Sequence, residues 1–242
     1  MAAVERGNES QKASSDGATS FELKFLVSEQ VAARVEAWAG DRLALDEHGD
    51  PIHDGRYFTT TLYLDTPAFD VFFRTPGFRR RKYRVRRYGS ESTLFLERKV
   101  RRGDEVRKQR EPVALAELDR LLAPSAPATA ETWFRREVLD RGMGPSGLVS
   151  YWRTAFVGAG SDGPLRLTLD RAVRGRATST LEVAAVDGGH PLVDGEVICE
   201  LKFKAAMPAL FRQLVADLAL APASVSKYRR LMAVARANEG TR

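Results

Sequence analysis

The stretch "KYRVRRYGSESTLFLERKV", Lys82 to Val100, carries its charges at a spacing of two. A β-strand sends alternate side chains to opposite faces, so Arg84 and Arg86 point the same way. Beyond the turn signal Gly89-Ser90, Phe95, Glu97 and Lys99 share one face against Leu94, Leu96, Arg98 and Val100. Half-buried strands ordinarily scatter charges outward. Like-signed pairs on one face do electrostatic chemistry of one of two kinds. They meet water, or they meet each other around an acidic ligand.

The same device recurs far along the chain. In "FELKF", Glu22 and Lys24 oppose Phe21, Leu23 and Phe25; in "YWRTAF", Tyr151 and Arg153 oppose Trp152, Thr154 and Phe156. In "PLRLTLDR", Arg166, Thr168 and Asp170 oppose three leucines; in "VICELKFK", Glu200, Lys202 and Lys204 oppose Cys199, Leu201 and Phe203. "TLYLD" sets Leu62 and Leu64 against Thr61, Tyr63 and Asp65. An open sheet would leave such faces wet, the commoner fate of charged strand faces. A sheet closed into a barrel under helices would turn them into a lumen, self-repelling unless it holds a polyanion or a metal. Periodicity alone leaves both open.

The elements that must position these residues follow from local signals. Residues 1–19 are rich in Ala, Ser, Gly and charge and read as a disordered tail, with one domain over 20–238. Ser28 caps a helix through Trp38 that stops at Gly40, and Thr66-Pro67 starts a short helix with Asp70 in a weak capping box. "YFTTTLYLD" and "EVRKQREPV" are strands, helices are expected near 114–122 and 130–140, and a strand is expected around 173–186. "PALFRQLVADLAL" and "SVSKYRRLMAVARA" end the chain as helices. The sum is about eight or nine strands with helices between and after them, an α+β pattern.

The net charge of +6 over 242 residues favours acidic partners: nucleic acid, phosphorylated small molecules or anionic lipid. Basic residues that alternate on strands, without interleaved aromatic platforms, argue against nucleic acid. Trp38, Trp133 and Trp152 read as packing residues. The single cysteine, Cys199, excludes an internal disulfide and suits a reducing cytoplasm. His48, His53 and His190 lie in Gly/Asp-rich loops, not at zinc-ligand spacing. No apolar run approaches the roughly 20 residues of a membrane span, and none reads as a secretory signal.

Taken in order, "FELKF", "TLYLDTP", "KYRVRRYG", "FLERK", "RKQR", "YWRTAF", "RLTLD", "CELKFK" and "SVSKYRRL" resemble the VTC domain, the polyphosphate polymerase module of the triphosphate tunnel metalloenzyme (CYTH) superfamily. The resemblance covers residues 20 to about 232. It implies a closed antiparallel barrel of about eight strands forming a tunnel, with helices packed outside. Carried over by position, it implies phosphate contacts at Lys24, Arg84, Arg86, Lys99, Lys108, Tyr151, Arg153, Lys202, Ser226 and Lys227. Arg84, Arg86, Lys99, Arg153 and Lys227 would serve catalysis, and Glu200, with Glu22, would hold Mn²⁺ or Mg²⁺. A guanidinium fork can bond two phosphate oxygens at once, which suits the paired arginines.

Two departures matter. Many superfamily members open with Glu-x-Glu-x-Lys, of which Ser20 replaces the first glutamate. A basic residue found in some members just before the Ser-Lys pair is Ser224 here, so a weaker grip on a long chain is expected. The implied activity is transfer of the γ-phosphate of ATP to inorganic polyphosphate in the cytoplasm. The alternatives are a tripolyphosphatase or nucleoside triphosphatase, and a non-catalytic polyphosphate-binding module. Any coupling to a membrane would need a membrane-protein partner.

Overall fold

The computed structural model describes residues 20–103, 105–121 and 132–239; the expected tail over 1–19 lies outside them. The chain begins with β1 (Ser20–Val27) and α1 (Glu29–Gly40), whose cap Ser28 accepts from the Val31 amide. A short β2 (Ala44–Leu45) and β3 (Arg56–Asp65) lead to α2 (Asp70–Phe73). Then come β4 (Arg81–Tyr88), β5 (Thr93–Arg102), β6 (Glu105–Ala114), α3 (Leu118–Leu121) and α4 (Trp133–Asp140). The long strands β7 (Gly144–Gly160) and β8 (Gly163–Ala177), the short β9 (His190–Pro191) and β10 (Val197–Phe203) follow. Helices α5 (Ala209–Asp217) and α6 (Lys227–Glu239) come last.

Every strand pairing is antiparallel, in the order β7-β3-β4-β5-β6-β1-β10-β8, and a β7–β8 pairing returns the last strand to the first. Eight strands thus close a barrel, and β2 and β9 are two-residue additions on its rim. The greasy strand faces look outward and are covered by helices. Phe25, Phe156, Leu167, Leu169 and Leu201 form one core with Val35 of α1 and Phe211 and Leu214 of α5. Leu62, Leu94, Leu96 and Leu148 form another with Phe134 of α4 and Tyr228 and Leu231 of α6. Burying each such side chain stabilises the fold by about 1.5–3 kcal/mol, so the helices lock the barrel shut.

Gly147 lies at the contact between β7 and α6. A Cβ there would stand 2.5 Å from Leu231 Cδ2, so a larger residue would have to push that methyl group aside. The contact packs α6 against β7.

Several expected elements differ. The strand expected around 173–186 is the end of β8 as far as Ala177, followed by irregular chain. A bulge with Ala172 at φ 49° shifts the β7–β8 register between Ser150 and Trp152 without ending the strand. The helix expected from Pro67 begins only at Asp70, behind a turn with Phe69 at φ 59°. Thr66 Oγ1 still accepts from the Asp70 amide and donates to its carboxylate. The helix expected over 114–122 is a 3-10 turn, Leu115–Glu117, running into α3; the second begins at Trp133, and 122–131 lie outside the described residues.

Candidate active site

All twelve residues expected from the sequence line one cavity of about 480 Å³ inside the barrel. β1 supplies Glu22 and Lys24; β4 supplies Arg84 and Arg86; β5 and β6 supply Lys99 and Lys108. β7 supplies Tyr151 and Arg153, β10 supplies Glu200 and Lys202, and the start of α6 supplies Ser226 and Lys227. The charged strand faces therefore meet each other and not the solvent. Twelve Lys and Arg side chains line this cavity against four carboxylates.

Two carboxylates buried in the wall orient the cations. Glu97 is fully buried and meets Arg84 Nε at 2.6 Å, Arg86 at 3.9 Å, Arg110 at 3.5 Å and Lys108. Burial alone would raise its pKa, but Arg84, Lys108, Arg86 and Arg110 hold it well below the usual carboxylate range. Glu97 thus acts as a counterion anchor. Asp170, also fully buried, takes Arg153 in a two-pronged bond, 2.6 and 2.8 Å, and Lys227 Nζ at 2.5 Å. Neither carboxylate belongs to the twelve. Yet Asp170 shares its alternation face with Arg166 and Thr168, and Glu97 shares one with Lys99, so the signal was there.

Tyr151 is 1% exposed, and its hydroxyl has no hydrogen-bond partner among the described residues. Arg153 and Lys227 lie over its ring, at 5.2 and 4.4 Å from the centroid. A buried orphan hydroxyl costs stability unless something joins it, so it fits an acceptor such as a phosphate oxygen.

Glu22 and Glu200 converge on the ammonium of Lys202, at 3.7 and 3.0 Å; Lys24 meets Glu200 at 3.1 Å, and Lys99 meets Glu22. The pair already accommodates positive charge between its oxygens, so it fits a divalent ion. Among the described residues no three or more His, Cys, Asp or Glu side chains gather as a metal site. A cation held here would complete its shell with phosphate and water oxygens, as Mg²⁺ does.

A second cavity of about 470 Å³ shares Glu22, Lys24, Lys82, Lys99 and Ser226 with the first and leads outward past Arg74, Arg79, Arg80 and Arg229. None of those four arginines has a carboxylate partner among the described residues, and burial together with Arg229 and Arg101 pulls the pKa of Arg74 down. Ser224 lines this mouth, so the charge it lacks is supplied by neighbouring elements. Asp46, His48 and Arg166 also line the first cavity, with His48 stacked on Tyr88 at 5.6 Å.

Lys108 gives a pH test. Burial, only partly countered by Glu97, brings its pKa down to about 8. A depressed lysine loses its charge as pH rises through that value, so metal-free affinity for inorganic tripolyphosphate should fall about tenfold between roughly pH 7 and 9. Lys108→Arg should lessen that fall, measured by titration calorimetry, and what remains belongs to the other buried lysines of the bore, among them Lys99, whose pKa burial brings down to about 7.

The comparisons agree with this architecture. The family model of the VTC domain matches residues 19–236. A Hippeastrum protein named as a candidate adenylyl cyclase, and described as having a dominant triphosphatase activity, superposes at TM-score 0.55 with 15% identity, over 90% of this chain and 96% of that one. A candidate adenylate cyclase of Bacillus halodurans superposes at TM-score 0.50 with 13% identity, over 85% of this chain and 92% of that one. At such identities the likeness is one of fold. A search of curated proteins returned no match.

Proposed function

The chain belongs to the VTC domain family of the triphosphate tunnel metalloenzymes, and from that premise we propose that it is a metal-dependent polyphosphate polymerase using ATP. The observation that carries the proposal is the bore itself: twelve basic side chains against four carboxylates, held by two anchors in the wall. Such a passage suits a linear polyanion far better than a compact one.

Phosphoryl transfer asks a protein mainly for positioning and charge neutralisation. In this reading the triphosphate of ATP lies along the bore. Arg84 and Arg86 fork onto its oxygens, and Arg153, Lys227 and the Tyr151 hydroxyl surround the γ-phosphoryl group. The terminal oxygen of the acceptor chain attacks γ-phosphorus, the bond to the β-phosphate oxygen breaks, ADP leaves, and the acceptor is one unit longer. Glu22 and Glu200 would hold Mn²⁺ or Mg²⁺, which would supply Lewis-acid neutralisation of the charge that develops on the transferring phosphoryl group. The arginine-rich mouth suits the lengthening chain.

Ser20 bears on the choice between polymerase and hydrolase. It lines the bore in place of the first glutamate of Glu-x-Glu-x-Lys, so β1 offers one carboxylate where hydrolase-type members offer two. The test is to incubate the protein with ATP and Mn²⁺ or Mg²⁺ and size the product on a gel. Long chains are expected; free phosphate without chains would assign a hydrolase, and tight polyphosphate binding without turnover a binding module. Glu200→Gln should raise the metal concentration giving half-maximal rate at least about tenfold, by titration of the rate with metal.

A further inference from the structure

Lys82 shares the bore-facing side of β4 with Arg84 and Arg86 and stands where the two cavities join. Lys24, Lys99, Lys108, Lys202 and Lys227 each meet a carboxylate, but Lys82 has none among the described residues. Its Nζ instead lies 2.9 Å from Ser226 Oγ, which also accepts from the Arg229 amide at 3.4 Å. A hydroxyl serves an amine in either state, accepting from an ammonium or donating to a neutral nitrogen. The surroundings decide which.

Lys24 and Glu22 face Lys82 from β1, Lys99 from β5 and Arg84 from its own strand; Arg229 of α6 lines the same cavity. The one carboxylate in that set, Glu22, is already engaged by Lys99 and Lys202. We propose that Lys82 is a phosphate-binding residue of this passage and that it takes up a proton as the phosphate arrives, so that the anion enters with its counter-charge. The inference rests on the reading of the bore as a phosphate passage and adds to it a proton-coupled grip. An N–H bond forms on the Nζ lone pair, the proton is taken from the buffer acid, and the buffer's conjugate base is left in solution. Burial, then Lys24, Lys99 and Arg84, hold the ordinary pKa of the side chain well down, in keeping with an amine that charges only beside an anion.

The test is calorimetric titration of the full chain with inorganic tripolyphosphate in metal-free buffers of differing ionisation enthalpy, between about pH 7 and 10. The slope of heat against buffer enthalpy counts protons taken up. Lys82→Met is expected to lower the peak uptake by about one proton and the affinity about tenfold. Lys82→Arg, permanently charged, is expected to restore the affinity without the proton. An uptake curve for Lys82→Met that superimposes on that of the unaltered protein overturns the inference alone. Failure of the unaltered protein to bind tripolyphosphate overturns the phosphate passage, and this inference with it.

Discussion

Arg84→Ala is expected to lower ATP turnover about 10²–10³-fold with the fold intact, because a donor aimed at transition-state charge contributes about 3–4 kcal/mol. The fold should survive because Glu97 is not orphaned. It keeps Arg86, Lys108 and Arg110, and the Leu94–Leu96 face of β5 remains packed under α4. The measurements are kcat/KM for ATP and thermal unfolding on the same preparation. A loss of a few-fold, or one matched by unfolding, would remove Arg84 from the phosphate-binding set. Arg84→Lys should recover only part of the rate, since a point charge lacks the fork that bonds two oxygens.

How far the sequence reached depended on whether a residue's role is written in alternation. The closed barrel was legible only through the resemblance: charged faces recurring on strands distant in sequence posed a two-way choice, and the family motifs decided it. Boundaries failed where the backbone leaves the common regions. Phe69 and Ala172 both adopt positive φ, which side chains rarely do and no residue type announces, so α2 started late and β8 ran on past a bulge. The irregularity between Tyr63 and Leu64 left the bounds of β3 as expected but broke its alternation. Asp65, assigned by alternation to the charged face, turns away from the bore. It accepts from the Val71 and Phe72 amides of α2 and from the Tyr228 hydroxyl at 2.5 Å, tying α2 to α6.

Within the site, the sequence identified the cations better than what holds them. Lys82 falls on the Arg84–Arg86 face by simple counting, yet nothing local distinguishes it from a solvated lysine; only its approach to Ser226, 144 positions away, does so. Glu97 and Asp170 present the same difficulty in reverse. A carboxylate among basic residues reads equally as metal ligand or counterion, and full burial beneath several cations is what decides for the latter.

Asp170 gives the second large effect, and its two parts should move in opposite directions. Asp170→Asn leaves the Arg153 guanidinium, 6% exposed, and the Lys227 ammonium without their shared counterion. Breaking a buried pair from one side costs about 3–5 kcal/mol, which for a chain of this size lowers Tm by roughly 10 °C. Burial alone would raise the Asp170 pKa, but Arg153 and Lys227 depress it below its unfolded value, so the stability it contributes is present above about pH 4 and lost only as pH falls further. Across neutral pH the deficit of the variant should therefore be constant. Removing a negative charge from the wall also strengthens the bore's attraction for polyanions. Inorganic tripolyphosphate should bind Asp170→Asn more tightly than the unaltered protein and raise its Tm by more, because a ligand bound only by the folded state stabilises it as RT ln(1 + [L]/Kd). Turnover should nevertheless fall, since Arg153 and Lys227 lose the anchor that aims them, so kcat and KM should drop together. Tripolyphosphate that binds the variant more weakly, or fails to recover its Tm, would mean that Asp170 supports the fold without setting the charge of the bore.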